Sequence, residues 1–237
     1  MWFIFIAAQL LSIIPSRVRR LLEKLLHRSL TLKRISALRS QIVWCREFEA
    51  NKDKVLEYWR RYRYLDLIME ICRINEKSRI LDVGCGISTV LHYVRGEKYG
   101  IDPLADAYKK IYRYPSDMTI LRGVGENIPF PDEFFDVVFC SNALDHVEDP
   151  KKTIEEIHRV LKKGGYFILT VEIFKRRERR DIKHPYSFTQ TDIHLLVRDK
   201  FKIIFERESP WIGLRSYVRG REPSAEREEL ILISQRI

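Results

Sequence analysis

A short glycine-containing segment between two apolar runs constrains the fold of this 237-residue chain more than any other feature. Residues 80–86 form an aliphatic run that ends in Gly84-Cys85-Gly86, and residues 99–102 form a second run that ends in Asp102. This order predicts a buried parallel strand, a glycine turn that opens a helix, and a second strand. An α/β domain uses this layout to hold a nucleoside at the carboxyl ends of its strands.

The residue types around the turn indicate which nucleoside fits. Gly84 and Gly86 let the backbone turn tightly and approach a ligand without an intervening Cβ atom. Asp102 can accept hydrogen bonds from both ribose hydroxyls. Asp82 favours a ligand with a positive amino group over a pyrophosphate, because like charges repel. Thr89 stands where a dinucleotide fingerprint has its third glycine, so the pattern is incomplete for a nicotinamide or flavin cofactor.

Five segments occur in the order and spacing of one known family. They are residues 80–86, 101–102, 123–130, 135–147 and 161–169. With them the chain resembles the class I S-adenosylmethionine-dependent methyltransferases, in a small-molecule branch similar to quinone and sterol methyltransferases. The resemblance covers about residues 65–172, which is more specific than any single motif. It implies S-adenosyl-L-methionine as the cofactor.

The resemblance also implies a role for individual residues. Asp82 and the backbone around the two glycines would hold the methionine end, Asp102 the ribose, and Ile128 the apolar edge of the adenine. Val124 departs from the family, whose members often carry an acidic residue there, so the adenine contact could shift to Glu126 or to main chain. The implied cofactor-binding residues are Asp82, Gly84, Cys85, Gly86, Asp102, Glu126, Asn127, Ile128 and Ser141.

The hydrophobic pattern predicts an α/β fold with a doubly wound, mostly parallel sheet of seven strands. The last strand should be antiparallel, because the connection before it is too short for a helical crossover. Strands are expected near residues 79–84, 98–102, 118–122, 135–140, 166–172, 202–208 and 229–236. Helices are expected at residues 87–95, 104–112, 150–162 and 190–199. The predicted domains are an N-terminal helical, basic extension over residues 1–60 and a methyltransferase domain over residues 61–237.

The net charge of +10 is concentrated near the start of the chain. Residues 16–39 contain many Arg and Lys side chains, and from Val18 onward leucines recur at helical spacing opposite them. This pattern is typical of a helix on an anionic membrane surface. It also fits a helix that packs on the catalytic domain or on a second subunit, as in a homo-oligomer. Nucleic-acid binding is disfavoured, because no aromatic platform or known motif accompanies the charge.

Two further features concern location. Residues 2–14 are almost all apolar but fall short of the ~20 residues that a membrane-spanning helix needs. A signal peptide would place its charges before the apolar run, whereas here they follow it. The four cysteines lie at no metal-ligand spacing and predict neither a metal site nor a disulfide framework. The sequence therefore predicts a cytoplasmic protein, with peripheral membrane contact if the basic helix binds lipid.

Candidates for chemistry on the acceptor follow two strands. Asp145 and His146 come directly after the fourth strand, and a histidine beside a carboxylate could deprotonate a hydroxyl group. The same pair could instead only cap or pack the turn. His184 lies in an aromatic, basic insertion over residues 173–189 that could close over the acceptor, and it is an alternative base. The insertion's Arg and Lys residues suit phosphate or carboxylate recognition, but also a solvated face.

A second loop, residues 209–228, mixes aromatic and basic side chains such as Trp211 and Arg215. This composition suits a sugar or a phosphorylated acceptor, or else an oligomer contact. The leading hypothesis is methyl transfer to oxygen on a small or lipid-linked acceptor, such as a glycan or a quinone-type intermediate. Two alternatives remain: a non-catalytic cofactor-binding scaffold, which Val124 keeps open, and a nicotinamide oxidoreductase, which the missing third glycine disfavours.

Overall fold

A computed structural model describes residues 30–175, 184–224 and 227–237. The basic amphipathic segment before residue 30 and the basic run at 176–180 lie outside the described residues. The described strands are β1 (Arg79–Val83), β2 (Glu97–Asp102), β3 (Met118–Arg122), β4 (Phe135–Ser141), β5 (Leu161–Ile173), β6 (Phe201–Pro210) and β7 (Glu228–Arg236). The described α-helices are α1 (Leu30–Glu49), α2 (Lys52–Arg63), α3 (Leu65–Ile71), α4 (Ala105–Tyr108), α5 (Pro150–Val160), α6 (Gln190–Val197) and α7 (Leu214–Val218).

The seven strands form one sheet in the order β3-β2-β1-β4-β5-β7-β6. The first five in this order are parallel, and β7 runs antiparallel to both of its neighbours. Strand order reverses between β1 and β4, which is the point where open α/β sheets bind ligands. The predicted mostly parallel sheet with an antiparallel last strand is therefore confirmed.

Buried aliphatic residues explain why these segments form central strands. Neighbouring residues of one strand face opposite sides of the sheet, so Ile80 and Leu81 belong to two different apolar clusters. Both are fully buried, as expected where helices cover both faces of a parallel sheet. One cluster contains residues of α1 to α3, and the other contains residues of α5 and α6.

Capping residues define where two helices begin. Asp149 caps α5 by accepting a hydrogen bond from the Lys152 N–H at 3.0 Å, and Pro150 occupies the first turn. Thr189 and Asp192 form a reciprocal capping box at the start of α6, as the sequence predicts. These local signals place both helices close to their predicted positions.

The helix predicted for residues 87–95 is wrong. Only a 3₁₀ turn forms, at Val90–His92, because Thr89 adopts an extended backbone and its hydroxyl donates to the Asp82 carboxylate. The helix predicted for residues 104–112 is shorter than expected and ends at Tyr108. Beyond it, hydrogen bonds of the 3₁₀ type occur, such as that from the Ile111 N–H to the Tyr108 carbonyl, which spans three residues instead of four.

The helices before the sheet belong to the same core as the strands. Leu38, Trp44, Phe48 and Trp59 pack in one apolar cluster with Ile80. The boundary predicted at residue 60 falls inside α2. Within the described residues, no helix combines the length and the apolar character needed to span a membrane. All four cysteines are free thiols.

Candidate active site

A cavity of about 540 Å³ opens at the carboxyl ends of β1, β2 and β4. This volume lies in the usual range for small-molecule sites. One wall is made by the loops that follow the strands. The facing wall is made by α1, α2 and the segment that leads into α7. The sheet therefore supplies one side of the site, and the N-terminal helices with a C-terminal loop supply the other.

The glycine turn after β1 lies directly on the cavity. Gly84 has a φ of +75°, and a Cβ atom at this position would lie 2.5 Å from the Cβ atom of Ala143. Gly86 has a φ of +54°, and a Cβ there would lie 3.2 Å from Nε2 of Gln41 in α1. Only glycine adopts such a backbone at little cost while other chain segments approach so closely.

Asp82 is 3% exposed at the end of β1. Its Oδ2 atom accepts a 2.6 Å hydrogen bond from the Thr89 hydroxyl. Burial raises the pKa of the Asp82 carboxyl to about 7, with a smaller contribution from the charge of Asp102. A cationic ligand group beside Asp82 would favour its ionised form, because opposite charges stabilise each other in a buried site.

Asp102 is held by the backbone at the end of β2. Its Oδ1 atom accepts from the Leu104 N–H at 2.9 Å, and its Oδ2 atom accepts from the Gly86 N–H at 3.3 Å. Burial raises the pKa of this carboxyl to about 6, although the backbone hydrogen bonds act in the opposite direction. The fixed orientation next to the glycine turn suits an acceptor for ribose hydroxyls, as the motif predicts.

The loop after β3 divides into residues that line the cavity and residues that do not. Val124 and Glu126 lie on the wall, together with Cys85 of the glycine turn. Within the described residues, Asn127 and Ile128 are not part of this lining. The contacts predicted between these two residues and the adenine ring therefore stay predictions.

Glu126 has a structural contact that its sequence position does not reveal. Its Oε1 atom accepts hydrogen bonds from the N–H groups of Glu148 and Asp149, at 2.6 and 3.1 Å. Val124 leaves an apolar side chain 37% exposed. One Glu126 oxygen thus ties the β3 loop to the β4 loop, and this use reduces its capacity to replace the missing acid at Val124.

Ser141 ends β4 and lies on the cavity wall. Its buried hydroxyl oxygen has no hydrogen-bond partner among the described residues. The next residue, Asn142, has a φ of +50°, and its N–H donates to the Thr170 carbonyl at 2.8 Å. Asparagine tolerates this left-handed backbone better than most residues. The cofactor contact that the family resemblance implies for Ser141 stays a prediction.

The structure brings the three predicted catalytic residues together. The imidazole rings of His146 and His184 have their centroids 4.4 Å apart, and both rings lie on the cavity wall. Asp145 is buried next to them, with its Oδ1 atom 4.0 Å from Nε2 of His146. The two histidines predicted as alternative bases therefore belong to one cluster, although they are 38 positions apart in the chain.

The facing wall holds residues that the sequence analysis did not identify. Trp44 of α1 and Trp59 of α2 are buried residues of the cavity wall, and their buried indole N–H groups have no hydrogen-bond partner in the described part of the chain. Trp211 also lines the cavity, and its indole N–H likewise has no hydrogen-bond partner among the described residues. Aromatic residues in the N-terminal helices were the available signal, but such residues equally indicate ordinary core packing.

Two arginines place positive charge on this wall. Nη2 of Arg63 lies 2.7 Å from Oε1 of Glu229 in a nearly fully buried ion pair, while Nη1 of Arg63 has no partner in the described residues. Arg215 lies over the Trp44 ring at 5.3 Å from the ring centre. Burial lowers the pKa of Arg215 to about 10, more than the nearby Glu47 carboxylate offsets. This wall therefore carries unpaired indole and guanidinium N–H groups, while the charge of Arg63 is already balanced by Glu229.

The strand order, the glycine turn and the two acids define a nucleoside-binding α/β domain of the Rossmann-like class. Residues 81–169 match the family model described as a methyltransferase domain. This match agrees with the resemblance of the chain to class I S-adenosylmethionine-dependent methyltransferases, and it supports S-adenosyl-L-methionine as the cofactor. The suspected family resemblance is confirmed, while its quinone and sterol branch is not established.

Known relatives cover part of the chain. An uncharacterized methyltransferase of Bacillus subtilis, YcgJ, is 31% identical over 114 residues, which are 44% of this chain and 45% of that protein. A demethylmenaquinone methyltransferase of a Geobacillus species is 28% identical over 124 residues, covering 48% of this chain and 53% of that protein. The chain thus spans about half the length of these curated relatives. The crystal structure of YcgJ matches with a TM-score of 0.54 at 19% identity, covering 74% of this chain and 98% of that one.

Proposed function

We propose that this chain transfers the methyl group of S-adenosyl-L-methionine to an oxygen atom of a small or lipid-linked acceptor. The observation that carries the proposal is one continuous cavity with two chemically different walls. The wall built by the sheet fits the cofactor. The wall built by the helices presents hydrogen-bond donors and positive charge to a second molecule.

The cofactor wall fits an aminoacyl nucleoside for physical reasons. Asp82 and Asp102 are buried acids, and burial raises the pKa of both carboxyl groups because it disfavours their charged forms. An ammonium group beside Asp82 and hydroxyl donors beside Asp102 would stabilise these charged forms. Gly84 and Gly86 leave space where a side chain would collide with Ala143 or Gln41.

The protein's part in the reaction is mainly positioning. When bound, the cofactor supplies an electrophilic methyl group, and the acceptor oxygen must approach in line with the bond that breaks. Holding both molecules in this geometry contributes most of the rate, because a bimolecular encounter becomes an intramolecular one. His146 and His184 are the wall residues with the chemistry to prepare an acceptor hydroxyl for attack.

The donors of the second wall favour an acceptor rich in oxygen atoms. An indole N–H donates but cannot accept, so an acceptor that reaches Trp44, Trp59 or Trp211 would do so through a carbonyl, hydroxyl, carboxylate or phosphate oxygen. Their rings also provide flat apolar surfaces that suit a sugar ring or a quinone-type ring. A glycan and a quinone-type intermediate are therefore the two acceptor classes that we propose, and the similarity to a demethylmenaquinone methyltransferase supports the second.

Calorimetry tests the cofactor, and radiolabel transfer tests the acceptor. The wild-type chain should bind S-adenosylhomocysteine, and Asp102→Ala should weaken this binding by about 1–3 kcal/mol, the cost of lost charge-assisted hydrogen bonds. Tritiated methyl should then appear in fractions of a lipid or glycan extract with the wild type, and less of it with Asp102→Ala at a cofactor concentration below saturation. Binding of NADH in place of S-adenosylhomocysteine would contradict the proposal and favour an oxidoreductase.

A variant of the second wall separates the two substrates. Trp211→Phe keeps an aromatic ring and removes one indole N–H donor. We expect unchanged affinity for S-adenosylhomocysteine and a raised KM for the acceptor. If Trp211→Phe weakens binding of S-adenosylhomocysteine and leaves the acceptor KM unchanged, the assignment of this wall to the acceptor is wrong.

A cofactor-binding scaffold is the second candidate, and Val124 favours it. The exposed apolar side chain at this position offers the adenine no acceptor, and Glu126 is partly engaged with the β4 loop. A scaffold would bind S-adenosylhomocysteine without transferring label to any extract fraction. This outcome is distinct from the one expected for an enzyme.

A further inference from the structure

We propose that Asp145, His146 and His184 form a binding site for one divalent transition-metal cation on the wall of the cavity. Each residue offers one ligand atom, and these atoms all lie within 4.8 Å of one another. Asp145 is buried, and the two histidines are half-buried on the cavity side. A cation held there would contact a molecule in the cavity.

The distances are close to those of a metal site. Metal–nitrogen and metal–oxygen bonds of about 2.0–2.2 Å place neighbouring ligand atoms about 3–3.5 Å apart in tetrahedral or octahedral geometry. The Asp145 Oδ1 atom and the His146 Nε2 atom are 4.0 Å apart, so they need to approach by less than about 1 Å. The other ligand atoms lie within 4.8 Å of one another, and rotation about side-chain bonds is the change that would bring all three together.

A hydrogen bond from a side-chain hydroxyl already joins the two segments that carry the ligands. The Tyr186 hydroxyl, two residues after His184, donates to the Glu148 carbonyl at 2.5 Å, two residues after His146. On the His146 side, its N–H donates to the Ala143 carbonyl at 2.9 Å and fixes the turn. On the other side, the Phe174 N–H donates to the Phe188 carbonyl at 2.9 Å. The two imidazoles are thus brought together by contacts that do not involve the imidazoles themselves.

The donor set indicates which cations fit. Two imidazole nitrogens and one carboxylate suit Zn²⁺, Mn²⁺, Fe²⁺ or Co²⁺, and three protein ligands leave coordination positions open. Mg²⁺ and Ca²⁺ prefer sets made of oxygen atoms. The cysteine spacing predicts no metal site, whereas these ligands come from a turn and a loop that are far apart in the chain.

The role of the cation rests on the proposed methyl transfer, but its binding does not. An acceptor hydroxyl bound at an open position would have a lowered pKa and would lose its proton to solvent water. The resulting oxygen attacks the methyl carbon, and the electron pair of the carbon–sulfur bond stays on sulfur. His146 and His184 would then act as ligands and not as bases.

The test uses the full chain without an affinity tag, stripped of metal by a chelator. Titration calorimetry with Zn²⁺ and with Mn²⁺ should show one site in the wild type, without acceptor or cofactor. His184→Ala and Asp145→Asn should each lower the metal affinity of this site at least about tenfold. Substitution of residues that only hydrogen-bond to metal ligands already lowers affinity by about 10- to 100-fold. His194→Ala is the matched control, because His194 forms a second histidine–carboxylate pair with Glu206 at 2.9 Å, on α6 and β6. It should leave the affinity unchanged.

A spectroscopic measurement on the wild type covers the case in which a variant fails to fold. Mn²⁺ should broaden the imidazole proton signals of His146 and His184 in the NMR spectrum and leave those of His194 sharp. The proposal is overturned if the stripped wild type binds neither cation, or if the folded His184→Ala chain binds as tightly as the wild type. Titration of the metal-free chain with S-adenosylhomocysteine reports separately on the proposed function.

Discussion

At the scale of single residues, the site depends on two acids that the fold leaves poorly stabilised. Asp82 and Asp102 are both buried, and neither faces a basic side chain in its hydrogen bonds within the described residues. Burial raises the pKa values of both carboxyl groups for this reason. The ligand that completes the site must therefore bring a positive charge or hydroxyl donors with it.

Cofactor binding should depend on pH in a defined direction. The ionised form of Asp82, whose pKa is about 7 in the ligand-free chain, is the form that attracts an ammonium group. We expect the affinity for S-adenosylhomocysteine to rise as pH increases from about 5.5 to about 8, with release of protons on binding. Calorimetry in buffers of different ionisation heat measures this release, and proton uptake would contradict the assignment.

The same shift has the opposite sign for the stability of the ligand-free chain. A carboxyl whose folded pKa is raised from 3.8 to about 7 favours the folded state at low pH, where it is neutral in both states. This contribution is complete below the unfolded pKa and is lost as pH rises through the folded pKa. Binding of S-adenosylhomocysteine should therefore stabilise the chain more at neutral than at acidic pH.

Gly84 provides a test of close packing at the turn. Gly84→Ala should lower the free energy of unfolding by about 2–4 kcal/mol, since it combines an unfavourable backbone conformation with a collision against Ala143. Gly220→Ala is the matched control: Gly220 has a φ of +69° and nothing within 4 Å of its potential Cβ atom. Chemical denaturation should show a smaller loss there, and equal losses would show that the contact with Ala143 has no effect.

Local motifs explain why the cofactor acids and the first histidine were identified from the sequence. Asp82 and Asp102 lie at the ends of strands whose aliphatic pattern is clear, and His146 lies in the short turn that follows a third such strand. The residues of the second wall were missed because their position depends on how α1 and α2 pack on the sheet. Gln41 and Arg63, for example, carry no sequence signal that separates a cavity residue from a surface one. The contact between His146 and His184 is likewise a property of the tertiary fold.

At the scale of elements, strands followed the sequence more closely than helices did. All seven strands form near their predicted positions, because continuous aliphatic runs are buried on both faces of a parallel sheet. The helix expected after the glycine turn fails because the Thr89 hydroxyl bonds to Asp82, and this interaction competes with a helical backbone. The same hydrogen bond therefore orients the Asp82 carboxylate and prevents the helix that was expected after the glycine turn.

The ion pair between α2 and β7 is the polar contact that should matter most for stability. Glu229→Gln removes the negative charge opposite Arg63. The side chains of Glu229 and Arg63 are both at most 3% exposed. Leaving Arg63 without its partner should cost about 3–5 kcal/mol. Asp66→Asn is the control, because its pair with Arg60 is more than half exposed and should contribute less than about 1 kcal/mol. Similar losses in denaturation would contradict the buried role of the Arg63 pair.

At the scale of the whole molecule, the N-terminal helices are part of the catalytic unit. Residues from Ile35 onward share an apolar cluster with the sheet, and α1 and α2 line the cavity. The sequence suggested a separable extension because its charge and hydrophobic pattern differ from those of the later domain. A shortened chain that lacks only the basic amphipathic segment should therefore start at Leu30 or at an earlier residue.

Membrane contact remains a proposal for the residues that precede α1. We expect the full chain to float with vesicles that contain anionic lipid, and a chain that starts at Leu30 to stay in the soluble fraction. A variant with Arg17, Arg19 and Arg20 changed to Gln keeps the apolar face and should bind about 100-fold more weakly, at about 1 kcal/mol for each lost charge. Equal flotation of the full and shortened chains would contradict the proposal.

The most direct test of the account is a crystal structure of the chain with S-adenosylhomocysteine. The account predicts an amino group within hydrogen-bond distance of Asp82, ribose hydroxyls on Asp102, and the sulfur atom facing the side of the cavity that holds His146. Density for the ligand away from these two carboxylates, or no density at saturating concentration, would contradict it.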